Sequence, residues 1–152
     1  MTDTTQDAVE LISFEIGGQE FCIDISVVRE IRGWSVATPM PQSPEFVHGI
    51  INLRGSIMPV IDLRARLGLG ATEPSSRHVI VVVQDADRCA GLLVDGVQET
   101  FTVEATLPQA APELGATVDE RFVDAIIPMD GRMISRLIVS RLMPDGPRAE
   151  AA

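Results

Sequence analysis

Lysine is absent from this chain: all 12 basic residues are arginine, and they face 22 acidic residues, for a net charge of −10. The acidic residues are scattered, and the pI is near 4.5. Nucleic-acid binding needs a basic footprint that displaces phosphate counterions, so this composition excludes it. Attraction to anionic lipid fails for the same reason. Arginine suits interfaces, but its exclusive use is read here as codon bias in a GC-rich genome.

Long apolar runs are also missing. The longest, Val79 to Val83, is far short of the roughly 20 residues a membrane-spanning helix requires. Met1 to Glu10 is polar and acidic, unlike a secretory signal, so a cytoplasmic location without membrane insertion is expected. The only cysteines, Cys22 and Cys89, lie in apolar strand-like runs, and two buried thiols are expected rather than a disulfide. His48 and His78 stand alone, with no Cys or His at ligand spacing, so no metal or other cofactor is expected.

The furniture of catalysis is equally sparse. No G-x-S-x-G elbow, Walker loop or G-x-G-x-x-G occurs; Gly68-Leu69-Gly70 lacks the third glycine and the following helix. Ser13 falls in a strand, Ser26 at a cap, and Ser43, Ser56, Ser75 and Ser76 in loops or turns. Asp62, Asp85, Asp87 and Asp95 sit at strand ends, where a solvated carboxylate is the default. The expectation is a protein that is not an enzyme.

What is present is a chain of 152 residues, 45% hydrophobic, enough for a core without staples. Its apolar segments are short and punctuated by Gly, Pro and Asp-Gly, the pattern of an all-β barrel or sandwich. Leu11 to Ile16 and Glu20 to Ile25 read as two strands around a Gly17-Gly18 hairpin. In them Ile12, Phe14 and Ile16 share one face, and Phe21, Ile23 and Ile25 another. Ser26 reads as the N-cap of a helical turn ending at Glu30. Pro39, Pro41 and Pro44 mark a loop. Ile50 to Leu53 and Ile57 to Leu63 are strands joined at Arg54-Gly55. After a Gly/Pro/Ser-rich linker, Gly68 to Ser76, come His78 to Gln84, Arg88 to Val94, Val97 to Val103, Phe122 to Met129 and Arg132 to Val139. A short helix capped by Ser140 is expected near Leu137 to Met143. The linker splits about ten strands into two groups of about five, which suggests two small barrels with a groove between them. No internal repeat is visible.

One stretch is specific. Phe21 to Ile25, Val28 to Arg32, the proline loop and Phe46 to Leu63 follow in order, the last containing Gly49-Ile50-Ile51-Asn52-Leu53-Arg54-Gly55-Ser56-Ile57-Met58-Pro59-Val60-Ile61-Asp62-Leu63. This resembles the CheW family of bacterial chemotaxis coupling proteins. Gly91-Leu92-Leu93-Val94-Asp95-Gly96-Val97 matches a second, weaker signature of that family. The resemblance runs from about Leu11 to Met143. It implies an all-β fold of two intertwined five-stranded SH3-like barrels with a few short helical turns. It implies one domain over residues 10–144, with subdomains at about 18–73 and 74–139 and a flexible tail at 145–152.

The resemblance also implies a function: an adaptor that couples the cytoplasmic tips of chemoreceptors to the regulatory domain of a CheA-type histidine kinase, without a cofactor, in arrays at the membrane. A receptor surface is expected at Val28, Glu30, Ile31, Gly49, Arg54, Val97 and Thr100. Glu30 is the carboxylate the resemblance places opposite Arg54; the alternative is two solvated charges. Gly49 reads as a bulge or turn, and the resemblance makes it a point of close approach for the receptor helix; the two are compatible. Val28, Ile31 and Val97 are either core or an apolar groove beside a charged rim. A kinase surface is expected at Met40, Ile57 and Met58, next to the stiff proline loop, unless Ile57 and Met58 belong to the core.

Three positions depart from the family pattern. Thr100, Arg136 and Ile138 stand where the family has an apolar residue, an apolar residue and an Asp. An arginine at 136 has to reach solvent or a partner carboxylate. Two rival readings remain: a paralogous coupler in a pilus-motility or other non-flagellar pathway, and a small-molecule-binding β-barrel sensor. The sensor needs a roomy internal cavity, whereas these strands alternate bulky aliphatics.

Overall fold

The computed structural model describes residues 8–104 and 120–144. Ten strands follow in order: β1 (Ala8–Ile16), β2 (Gln19–Asp24), β3 (Val28–Gly33), β4 (Val47–Leu53), β5 (Ser56–Asp62), β6 (Val79–Asp85), β7 (Arg88–Val94), β8 (Gly96–Glu104), β9 (Val123–Met129) and β10 (Arg132–Leu137). Two short helices, α1 (Leu63–Arg66) and α2 (Val139–Leu142), follow β5 and β10. The tail at 145–152 lies outside the described residues. No described helix is long and apolar enough to cross a membrane.

The strands form two five-stranded sheets, ordered β8-β1-β2-β10-β9 and β3-β6-β7-β5-β4. The two groups are therefore not divided by the linker, which corrects the sequential split near residue 73. The first sheet takes two strands from the start of the chain and three from its end. Two parallel contacts make the weave: β2 with β10, and β5 with β7. Parallel neighbours need a crossover, so each sheet recruits strands far apart in sequence.

Period-two alternation serves two cores at once. From the first sheet, Leu11, Cys22, Val103, Ile127 and Ile134, one from each strand, meet inside one barrel. Ala37, Ile51, Met58, Val60, Ile80, Val82 and Leu93 fill the other. Beyond β3, Thr38 bridges Ile50 of β4 and closes that second ring. Alternate residues on the same strands, among them Ile12, Phe14, Phe21, Val81, Val83 and Leu92, pack between the barrels into a shared core. The two expected faces of the first hairpin are thus one face: Phe14 pairs with Phe21 and Ile12 with Ile23, all in the shared core. The result is the expected pair of intertwined five-stranded barrels, with interiors filled by side chains.

Several local expectations are corrected. The turn after β2 is a 3₁₀ turn over Ile25–Val27, and its cap is Asp24, whose Oδ1 accepts from Ser26 N at 2.9 Å. Ser26 is not the cap, and β3 begins already at Val28. Ser140 lies inside α2, whose N-cap position is Ile138. Asp62 is buried rather than solvated: it caps α1 by accepting from Ala65 N, and binds Thr72 N at 2.9 Å and Thr72 Oγ1 at 2.6 Å. Cys22 is buried but Cys89 is exposed. Arg136 does reach a carboxylate, in a two-pronged contact with Asp124 on β9, with Nε 2.9 Å from Oδ1.

Candidate functional surfaces

The β4–β5 hairpin places Arg54 and Gly55 at φ 53° and 86°, with Asn52 Oδ1 accepting from Gly55 N at 2.9 Å. Glycine takes this conformation readily, and an arginine does so at a cost. Arg54 is one of four non-glycine residues at positive φ among the described residues. The turn throws its side chain, 72% exposed, across to β3. There Arg54 Nη2 donates to Glu30 Oε1 at 2.6 Å. The two charges are paired. Arg32, which the sequence reading did not single out, shares the same carboxylate, with Nη1 3.2 Å from Glu30 Oε2. Hydrogen bonds from Arg54 first, then from Arg32, hold the Glu30 carboxyl below its ordinary value of 4.5.

The register explains what surrounds this cluster. Glu30 and Arg32 pair with Val82 and Ile80, which face the barrel interior, so both lie on that side of edge strand β3. Val28 and Ile31 pair with Val83 and Val81, which face the shared core. Val28 packs against that core, and Ile31 remains 46% exposed at its margin. On the other sheet, Val97 and Thr100 occupy edge strand β8 opposite Phe14 and Ile12, again on the shared-core face. Val97 packs inward and Thr100 is exposed. Two edge strands therefore bring apolar side chains to the margin of one core, with the Arg32–Glu30–Arg54 cluster on the opposite face of β3.

Gly49 has a role inside the protein. It follows a bulge in β4, and a Cβ built on it would stand 2.6 Å from Thr38 O and 2.9 Å from Ala37 Cβ. The glycine admits the strand-like segment that closes the second barrel, and its Cβ direction is filled from within. This packing fits the bulge reading.

A second surface lies around the proline loop. Met40, Pro41, Pro44, Ile57 and Pro59 line a largely apolar concavity of about 930 Å³, which Met143 and Pro144 wall on another side. Met40 is 47% and Ile57 68% exposed, whereas Met58 is 3% exposed and belongs to the barrel core. Adjacent residues of a strand point to opposite faces, so Ile57 and Met58 cannot both be surface. Met58 is removed from the expected kinase surface. Cys89, an exposed thiol 3.9 Å from Met58 Sδ, lines the same concavity.

A third, polar concavity of about 560 Å³ is lined by Glu15, Arg64, Glu73, Arg77, His78 and Asp95 among others. Its central pair is structural: His78 Nε2 is 3.4 Å from Asp95 Oδ1, and His78 Nδ1 accepts from Ser75 N at 3.0 Å. Asp95 also accepts from Gly17 N at 2.9 Å. These bonds tie the linker to the first hairpin. Among the described residues no group of three His, Cys, Asp or Glu could hold a metal ion.

Comparison with known proteins agrees over nearly the whole chain. The chain is 44% identical over 147 residues to "Chemotaxis protein CheW" of Rhizobium meliloti, covering 97% of this chain and 95% of that one. It is 46% identical over 143 residues to "Probable chemotaxis protein CheW" of Rhizobium etli, covering 94% and 92%. A more distant relative, "Protein PilI" of Pseudomonas aeruginosa, is 31% identical over 70% of this chain and 63% of its own. Among solved structures, the scaffolding protein TtCheW from Thermoanaerobacter tengcongensis superposes with a TM-score of 0.82 at 33% identity, covering 92% and 90% of the two chains. The model of the CheW-like domain matches residues 10–146, and with the woven barrels, the paired Glu30 and Arg54 and these relatives it leads to one conclusion: this chain belongs to the CheW family.

Proposed function

We propose that this protein is a non-enzymatic adaptor that couples the cytoplasmic tips of chemoreceptors to a CheA-type histidine kinase, working in the cytoplasm at membrane receptor arrays. The observation that carries this reading is the presence of two separate surfaces on one small fold. The first is edge strand β3, with the Arg32–Glu30–Arg54 cluster on one face and, on the other, exposed Ile31 and inward-packed Val28, together with Val97 and Thr100 of edge strand β8. A receptor tip is a helical rod, and an edge that presents charge beside exposed apolar surface suits it. The second is the apolar concavity at Met40 and Ile57, which suits the kinase regulatory domain. Stiff prolines there lose little entropy on docking.

The barrel interiors are filled, which disfavours the small-molecule sensor. A second reading is a paralogous coupler in a non-flagellar pathway, which the same fold and surfaces would serve. The test measures binding to a receptor cytoplasmic fragment and to a kinase regulatory domain separately. Arg54→Ala should weaken the first and spare the second, and Met40→Asp should do the reverse. Equal loss of both partners in either variant contradicts the two-surface reading. Receptor fragments drawn from flagellar and pilus pathways separate the two couplers.

A further inference from the structure

Arg66, the last residue of α1, is not among the residues lining the apolar concavity, yet it fastens both of its walls. Its guanidinium lies 3.9 Å from the centroid of the Phe46 ring and 4.7 Å from that of Phe122. Its Nη2 donates to Arg141 O at 2.9 Å and its Nε to Leu142 O at 3.2 Å. Phe46 lies between Pro44 and Val47, which line one wall; Leu142 immediately precedes Met143 and Pro144, which line the other.

The two walls come from different parts of the weave. The proline loop leads into β4 of one sheet, and α2 follows β10 of the other. The proline-loop wall is tied to β5 by Asp62 N donating to Phe46 O at 2.7 Å, but the α2 wall is not self-supporting. A four-residue helix cannot sustain itself, and its terminal carbonyls need outside donors. A planar guanidinium can stack on a ring and fork to two carbonyls at once, which an ammonium cannot. Arg88 assists, with Nη2 3.3 Å from Ser140 O, but it lines the concavity itself and so cannot separate contact from position.

We propose that Arg66 is a positioning residue that preorganises this concavity for the kinase regulatory domain, acting through Phe46 and α2 rather than by touching the partner. The proposal rests on the reading of the concavity as the kinase surface. A surface whose walls are already ordered binds without the entropic cost of ordering them.

The test uses the full chain and two variants, Arg66→Lys and Phe46→Leu, with two readouts: amide hydrogen exchange at residues 45–47 and 139–143, and affinity for each partner. Arg66→Lys should exchange faster in both segments and bind the kinase domain roughly tenfold more weakly, with receptor affinity within about twofold of wild type. Phe46→Leu, which keeps the carbonyl bonds, should speed exchange at 45–47 alone and lose less affinity. Unchanged exchange in Arg66→Lys overturns the proposal, as does faster exchange with wild-type kinase binding. If Arg66→Lys fails to fold, Phe46→Leu decides alone, and unchanged kinase binding in it overturns the proposal. If the wild-type chain does not bind the kinase domain, the reading of the concavity falls, while exchange still decides whether Arg66 holds the two walls.

Discussion

Glu30 and Arg54 are 24 residues apart in the chain and 2.6 Å apart in space. Their meeting depends on a turn that holds an arginine at positive φ and on an edge strand that presents its carboxylate to that turn. With Arg32 on the same carboxylate, the cluster holds two positive charges and one negative on a chain of net charge −10. A partner offering an acceptor to Arg54 would find its guanidinium oriented beforehand.

Arg54→Ala should weaken receptor binding while moving the melting temperature by no more than about 2 °C, since exposed ion pairs add little stability. Thermal melts beside receptor titrations check this. The double swap Glu30→Arg, Arg54→Glu should recover only part of the binding, because the new arginine would face Arg32. Normal receptor binding by Arg54→Ala, or outright unfolding, would remove the site assignment.

Glu30 should titrate below 4.5 in the folded chain, because both arginines favour its charged form. A folded-state value below the unfolded one means that its contribution to stability is present above about 4.5 and fades as pH falls through the lowered value. Carboxyl NMR titration of wild type and Arg54→Ala follows this directly. The midpoint should rise in the variant, because the largest cause of the lowering is the hydrogen bond from Arg54. A midpoint that does not move would mean the pair is absent in solution.

Ile57 and Met58 are neighbours with opposite fates. Met58→Ala should cost about 2–5 kcal/mol of stability by opening a cavity in the second barrel. Ile57→Ala should leave stability nearly unchanged and weaken kinase-domain binding, because Ile57 is 68% exposed. Chemical denaturation paired with binding distinguishes them. The reverse pattern would mean the strand register is wrong.

The contrast also shows what could be read from the chain. Alternation and turn chemistry located the strands, and Gly17-Gly18, Arg54-Gly55 and Asp130-Gly131 all lie between hairpin strands. Alternation could not tell which residue of a pair faces outward, because strands such as β1 and β6 bury both faces, one in a barrel and one in the shared core. Nor could it show that β2 pairs with β10, since a parallel pairing over more than a hundred residues leaves no local signal. The Glu30–Arg54 pair was legible through a motif. Arg32 and Arg66 were not, because their contacts are set by register and by loops that meet only in the folded chain.

The two cysteines should label differently. Burial pushes the Cys22 thiol up to about 12, whereas Cys89 is exposed at the start of β7. A maleimide at neutral pH should therefore modify Cys89 in the folded chain and reach Cys22 only on denaturation. Mass spectrometry of the labelled chain locates the adduct. Fast modification of Cys22 under native conditions would contradict the packing of the first barrel.

The most direct test of the adaptor account is kinase activity measured against adaptor concentration, with receptor and kinase held fixed. A two-sided bridge raises the effective concentration of one partner at the other, and excess adaptor saturates each partner separately. Activity should change only when receptor, kinase and adaptor are all present, and should pass through a maximum before falling at large excess. A monotonic rise to a plateau, or stimulation of the kinase without receptor, would contradict the claim that this protein works by bridging.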